Sequence, residues 1–504
     1  MNALYDRLFN SRDSNNVFIQ YAENKEPLTY KSFLLEIKTT ARYLQNLGLR
    51  CGDRLVLQIS KSHHVLTIYG ACVQLGIIFI PLNTAYTHSE VKYFLSDSEC
   101  KLFICQPEME KEIYENESKL NLNIKTILND YEGSFFENID QLTPLEFIEE
   151  REEKDIGAIL YTSGTTGRSK GAMLTHENLI SNALTLSNTW RFTENDILLH
   201  ALPVYHTHGL FVATNIALIA GCQMIFLKSF NTEEVIKALP NSTAMMGVPT
   251  FYTRLLKEKK FTKELVKEMR LFISGSAPLL RETHREFEKR TDHKILERYG
   301  MTETNMITSN PYDGIRKAGT VGMALKDVSV RIVSLDEKDR PLRHNEIGVI
   351  EVRGPNVFTG YWQMPEKTKE EFRDDGFFIT GDMGSLDENN YLTIVGRNKD
   401  LIITGGLNVY PKEIETVIDE IREVEESAAI GINHPDFGEG IIAIVVEKND
   451  QTIEIEKINE RLRTNLAAFK IPKKIIKKSS LPRNSMGKVQ KNLLRDEYKD
   501  YFKG

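Results

Sequence analysis

Apolar residues along this chain fall into two rhythms, and each predicts a different kind of element. Residues 65–82 and 210–227 are nearly continuous apolar runs, each broken by a glycine, Gly76 or Gly221. A glycine just past a helical run is a common C-cap. Each run therefore predicts a buried helix, a stop, and a short buried strand, IIFI or MIFL. Gln74 and Pro81 interrupt the first run, Asn215 and Gln223 the second. Membrane spans need about 18–25 mostly apolar residues, so both runs read as core. Shorter runs at 55–60 (LVLQIS), 102–105 (LFIC), 158–160 and 271–273 predict further strands separated by helical patterns. Alternation of this kind predicts layered α/β architecture with largely parallel sheets.

The texture changes at residues 318–395. Short alternating runs such as VSVRIV, GVIEVRG and YLTIVG are spaced by Gly, Pro, Asn and Asp, which predicts a small antiparallel β unit. Beyond Arg397 a helix is predicted over 411–421, with strands near 428–432 and 442–447. The lysine-rich tail from residue 470 reads as a solvated face. No internal repeat or low-complexity segment is visible.

Charge and cysteine usage narrow the class. Lys+Arg 64 against Asp+Glu 71 gives a formal charge of −7, which argues against a dedicated nucleic-acid binder, usually a basic domain. Cys51, Cys72, Cys100, Cys105 and Cys222 form no C-x-x-C pair. They read as apolar core thiols in a reducing compartment, with no zinc spacing among them. Asp6 and Asp13 stand where a signal peptide needs a basic patch and an apolar run. The expected location is the cytoplasm, with no membrane partner. Oligomeric state is not legible.

The densest chemistry lies at 161–171, YTSGTTGRSKG, directly after a predicted strand. Gly164, Gly167 and Gly171 let backbone N–H groups approach an anion, while Thr162, Ser163, Thr165 and Thr166 add hydroxyl donors and Lys170 a cation. The spacing departs from G-x-x-x-x-G-K-[ST], because Arg168 and Ser169 separate Gly167 from Lys170. A phosphate cradle is expected here. A flexible loop is the bland alternative.

This segment resembles the phosphate-loop signature of adenylate-forming enzymes, the superfamily of acyl-CoA synthetases, luciferases and nonribosomal adenylation domains. The resemblance covers essentially the whole chain, because further motifs follow in order: GSAP at 275–278, YGMTE at 299–303, YW at 361–362, TGD at 380–382, GRNKD at 396–400, GGLN at 405–408 and PRNSMGK at 482–488. Singly each is weak; the ordered set is specific. It implies a large N-terminal domain, 1–396, of two layered α/β subdomains plus a small β-barrel-like subdomain, and a small mobile α+β C-terminal domain, 397–504. It implies ATP, Mg²⁺ and coenzyme A as the small molecules handled. The nucleotide set is Thr162 to Gly167, Lys170, Gly275, Ser276, Ala277, Pro278, Tyr299, Gly300, Thr302, Asp382 and Arg397. Tyr299 offers a flat face for adenine, and Asp382 has an acceptor carboxylate for ribose hydroxyls, with Arg397 beside it. Thr302 is assigned to the α-phosphate and Glu303 to the metal, whose preference is for hard oxygen ligands. By the same resemblance Lys488 reaches the reacting carboxylate and α-phosphate, Lys399 is the hinge, and Gly405 and Gly406 face coenzyme A.

Within the superfamily the resemblance is to malonyl-CoA synthetases, through PLNTAYT at 81–87, YHTHGLF at 205–211 and GVPTFYTR at 247–254. A dicarboxylic acid carries a second charge that needs a cation, preferably a guanidinium. Arg254 is the first candidate and Arg281 the second. His206, Thr207, Ser276 and Met306 are the expected lining of a pocket for malonate or methylmalonate. Other readings stay open: a short- or medium-chain or aryl acyl-CoA synthetase, an enzyme loading a carrier protein, or a nucleotide-binding scaffold without turnover.

Overall fold

The computed structural model describes residues 1–10, 14–22, 25–116, 122–128, 131–162, 169–335, 337, 340–448, 451–483 and 488–502. Among these residues the strands gather into four sheets, and sequence rhythm explains which is which. The two apolar runs form the expected helix, glycine cap and strand. His63–Leu75 is helical and ends on Gly76 at φ +65°; Asn215–Ala220 ends on Gly221 at φ +73°. The strands Ile78–Pro81 and Gln223–Phe226 follow. One detail differs: His208–Thr214 is a wider π-type turn that leads into the short α-helix.

All thirteen residues of His63–Leu75 are buried, as befits a helix that is apolar on every side. The nine-stranded sheet has Leu271–Ser274, Ala244–Gly247, Ile197–His200, Gln223–Phe226 and Val17–Tyr21 side by side in parallel. Its far side adds Leu296–Met301, then the antiparallel strands Asn305–Ser309 and Met323–Ala324. The seven-stranded sheet has Ile156–Thr162, Ile78–Pro81, Arg54–Gln58, Leu102–Cys105 and Asn123–Thr126 in parallel, with Lys170–Thr175 and Gly360–Tyr361 antiparallel at one edge. These sheets carry the layered α/β arrangement predicted from the alternating runs.

The segment expected to be barrel-like is a four-stranded antiparallel sheet, ordered Ser329–Val333, Gly348–Arg353, Phe378–Leu386 and Leu392–Arg397. A five-stranded sheet follows, with Val424–His434 and Gly438–Glu447 as its long pair. Side chains alternate across a strand. Ile441, Ala443 and Val445 therefore enter one apolar cluster, while Ile442, Ile444 and Val446 enter another on the opposite face. No described helix is long and apolar enough to cross a membrane, and all five cysteines are free thiols.

Ile444 is fully buried, so Ile444→Ala is expected to cost about 2–5 kcal/mol by lost transfer energy plus a residual cavity. Urea unfolding read by a probe in the five-stranded sheet checks this.

Candidate active site

The strand Leu296–Met301 and its antiparallel neighbour Asn305–Ser309 form a tight hairpin at the edge of the nine-stranded sheet. Gly300 lets it close, because a Cβ there would lie 1.8 Å from the Asn305 carbonyl oxygen. Alternation along the strand sends Tyr299 to one face and Arg298 to the other. Beside this hairpin lies a cavity of about 650 Å³. Its wall draws on both large sheets, the four-stranded sheet and the C-terminal region, including Thr162, His206, Arg298, Glu303, Arg397 and Lys488.

On the Tyr299 side, the phenol donates to Asp382 Oδ2 at 2.5 Å, and Arg397 Nε lies 2.6 Å from Asp382 Oδ1. Burial, then the Asp382 charge, pushes the Tyr299 phenol well above its usual range. Asp382 raises the Arg397 pKa. Tyr299 and Asp382 sit behind the cavity wall, which Arg397, Thr380 and Gly381 form at this point. The Asp382 carboxylate is therefore held by two donors at the edge of the cavity.

At the hairpin turn, Thr302 and Glu303 both reach the cavity. Glu303 is buried and accepts a hydrogen bond from the Tyr361 hydroxyl at 3.1 Å. Burial raises its pKa, with Tyr361, Lys170 and Arg397 opposing. A buried carboxylate with raised pKa gains from a cation, and its oxygens suit Mg²⁺. Lys170 lies 3.5 Å from Glu371 and 4.0 Å above the Tyr361 ring. Lys488 and Lys399 also line the cavity. Lys488 keeps contact with solvent inside the open cavity, yet the surrounding protein and then Arg397 lower its pKa.

On the other side of the strand, Arg298 is 3% exposed. Among the described residues its buried Nε and Nη2 atoms have no hydrogen-bond partner. Burial pushes its pKa down to about 9. Gly275 makes the space: a Cβ there would lie 2.3 Å from the Arg298 Cζ. Tyr205, His206, Thr207, Ser276 and Met306 line the same cavity as Arg298. Thr207 donates to Asn305 Oδ1 at 2.6 Å, and Ser276 Oγ lies 3.3 Å from His208 Nδ1. Burial, then the charges of Lys488 and Arg298, pushes His206 down to about 3. Near neutral pH that imidazole is uncharged, and Arg298 and Lys488 are the cations near it.

Several expected residues are not gathered here. Arg254 is exposed on the helix Pro249–Lys257, 6.0 Å from the Phe230 ring centroid, and does not line the cavity. Arg281 begins the next helix, exposed, with its side chain beside Gly319. Both are exposed arginines of amphipathic helices. Gly275, Ala277 and Pro278 do not line the cavity, and neither do Gly405 and Gly406, which form an exposed turn. Ser163, Gly164, Thr165, Thr166 and Gly167 lie outside the described residues. Arg298 is the residue that sequence reasoning missed. Its signal was position: an arginine inside a strand-forming stretch, one residue from Tyr299.

The AMP-binding enzyme family matches residues 9–362, and its C-terminal domain matches residues 413–488. The chain belongs to the AMP-binding enzyme family. The crystal structure of ATP-bound MatB from Rhodopseudomonas palustris superposes with a TM-score of 0.96 at 51% identity, covering 99% of each chain. The malonate–CoA ligase of Arabidopsis thaliana is 34% identical over 83% of this chain and 74% of its own length. A probable CoA ligase of Humulus lupulus, CCL8, is 38% identical over 67% of this chain, which spans 60% of that protein.

Gly275→Ala tests the space that Arg298 occupies. The new methyl group must displace the guanidinium, so KM for the acid is expected to rise at least tenfold, the effect of about 1.4 kcal/mol, while KM for ATP stays within twofold. Steady-state kinetics with each substrate varied separately decides it.

Proposed function

We propose that this chain ligates malonate, and by the same pocket methylmalonate, to coenzyme A in two half-reactions. In the first, one malonate carboxylate attacks the α-phosphorus of ATP. The bond to pyrophosphate breaks and malonyl-AMP forms. In the second, the coenzyme A thiol attacks the acyl carbon, AMP leaves with the bonding pair, and the thiol proton passes to solvent. The matches to a malonate–CoA ligase and to ATP-bound MatB support the reaction class.

The observation that carries the choice of acid is Arg298. A buried charge without a partner costs several kcal/mol, and two of its donors have no acceptor. A monocarboxylate consumed at the phosphate leaves them unpaired. Malonate has a second carboxylate to offer, and a charge-assisted hydrogen bond contributes about 1.5–3 kcal/mol. His206, Thr207, Ser276 and Met306 bound that end of the pocket, while Arg254 and Arg281 have no part in it.

We assign the remaining roles on the cavity's geometry and on the family resemblance. Lys488 counters the repulsion between the attacking carboxylate and the α-phosphate. Thr302 donates to that phosphate, and Glu303 would hold Mg²⁺, whose charge screens the phosphate oxygens when bound. The family resemblance alone gives adenine to Tyr299 and the ribose to Asp382 with Arg397, of which only Arg397 lines the cavity. Residues 1–396 and 397–504 act as two domains that turn about Lys399, which lines the cavity at their junction, and Gly405 and Gly406 meet coenzyme A after the turn. Five free thiols support a cytoplasmic location.

Two variants test this reading. Arg298→Ala is expected to lower kcat/KM for malonate about ten- to a hundredfold and to leave butyrate turnover nearly unchanged, whereas Arg254→Ala stays within twofold of wild type. Hexanoate turned over faster than malonate by wild type refutes the choice of acid. Lys488→Ala is expected to slow malonate-dependent pyrophosphate release about a hundred- to a thousandfold and to keep thioester formation from supplied malonyl-AMP. Equal loss of both half-reactions refutes that role.

A further inference from the structure

A second group of metal-ligating side chains lies in the N-terminal region, and none of its members lines the ATP cavity. Glu36 comes from the helix Tyr30–Asn46, and His63 and His64 open the helix His63–Leu75 packed against it. One potential ligand atom from each of the three lies within 4.8 Å of the other two. The imidazoles are 1% and 3% exposed, while the Glu36 carboxylate remains partly open to solvent. We propose that Glu36, His63 and His64 form a binding site for one zinc ion, separate from the Mg²⁺–ATP centre.

The donor set fits that ion. Two imidazoles and one carboxylate are ligands that Zn²⁺ takes readily, whereas Mg²⁺ and Ca²⁺ favour oxygen alone. The surrounding groups orient the ligands. Tyr21 OH lies 3.0 Å from His63 Nδ1, which turns His63 Nε2 towards Glu36 Oε2 at 3.4 Å. Metal-bound histidines characteristically have their second ring nitrogen held in this way. Tyr131 donates to Glu36 Oε1 at 3.0 Å, and Thr67 donates to Glu36 Oε2 at 3.3 Å. The two imidazole centroids are 3.9 Å apart, and the His64 ring packs between Tyr131 and Phe136, each 4.8 Å away. Tetrahedral zinc with bonds near 2.1 Å brings its ligand atoms to about 3.4 Å from one another, so they draw in from a present spread within 4.8 Å. A water, reaching in through the open side of Glu36, completes four ligands.

Cysteine spacing could not reveal this site, because no cysteine belongs to it and Glu36 is remote in sequence from the histidine pair. Zinc there would pin the two helices together beside Val17–Tyr21, near one edge of the nine-stranded sheet. Its role is structural, since it ties two packed helices to each other.

The test uses the full-length protein, stripped with a chelator and then given zinc chloride alone. Wild type is expected to retain close to one zinc per chain after gel filtration and to melt several degrees higher with zinc, since a ligand bound only by the folded state stabilises it by mass action. Crystals of that sample are expected to show an anomalous zinc peak within bonding distance of Glu36, His63 and His64. Glu36→Gln and His64→Asn are each expected to weaken zinc binding by about a hundredfold or more, the upper range for loss of a merely orienting partner. Should these variants fold poorly, the wild-type anomalous map decides alone. No peak at the three residues, or zinc retained equally by folded Glu36→Gln and His64→Asn, overturns the proposal.

Discussion

A guanidinium buried beside a cavity without a carboxylate partner is the constraint on which this site turns. Withdrawing a charge from water is costly, and proteins ordinarily repay the cost with an opposed charge and a full set of hydrogen bonds. Arg298 is buried, its pKa falls, and two of its nitrogens have no acceptor. The fold nevertheless preserves the arrangement, by keeping Gly275 without a side chain where a Cβ would strike the guanidinium. A polar group held in this state is a binding site in waiting for an anion. The hairpin that carries it also carries Thr302 and Glu303 to the same cavity, and on the proposed reading one piece of backbone sets acid and nucleotide in register.

The same strand explains how one cavity serves two chemistries. Alternation puts Tyr299 against Asp382 and Arg397, and puts Arg298 against the histidine loop at 206–208. Arg298 and Arg397 line one cavity with Lys488 from the C-terminal region, and the proposed function has the carboxylate and the α-phosphate meet there. The low histidine pKa values belong to this picture. An imidazolium beside Arg298 and Lys488 would compound the cost of burying positive charge, so His206 and His208 are held neutral. Neutral rings supply shape and hydrogen bonds there, and the net field is left for two anionic substrates.

Much of the fold was legible in the chain because its signals are local. Gly76 and Gly221 end helices at positive φ, and the four-residue apolar runs that follow become parallel strands. The ordered motifs revealed the family for the same reason: each is a short stretch whose glycines and polar side chains must be adjacent. The acid pocket was harder. Arg254 sits in FYTRLLKEKK, and nothing in that string says whether its arginine faces the cavity or the solvent; the helix's own amphipathic pattern favours solvent, and the structure places it there. Sequence reasoning missed Arg298 because the neighbouring Tyr299 drew the chemical reading and no strand is predicted there; the observed strand Leu296–Met301 sends the two side chains to opposite faces. The contact of Glu36 with His63 and the charge interaction of Lys488 with Asp382 and Glu303 depend on tertiary packing and have no counterpart in spacing.

The central claim is that the second carboxylate of the acid is what Arg298 awaits. A crystal structure with malonate and a non-hydrolysable ATP analogue bound together tests it most directly. The account predicts the distal carboxylate paired with Arg298 Nε and Nη2 at about 2.7–2.9 Å, the range of charge-assisted bonds, and the proximal carboxylate facing the α-phosphate near Lys488. A distal carboxylate lying against any other cation, with the Arg298 donors still without an acceptor, contradicts it.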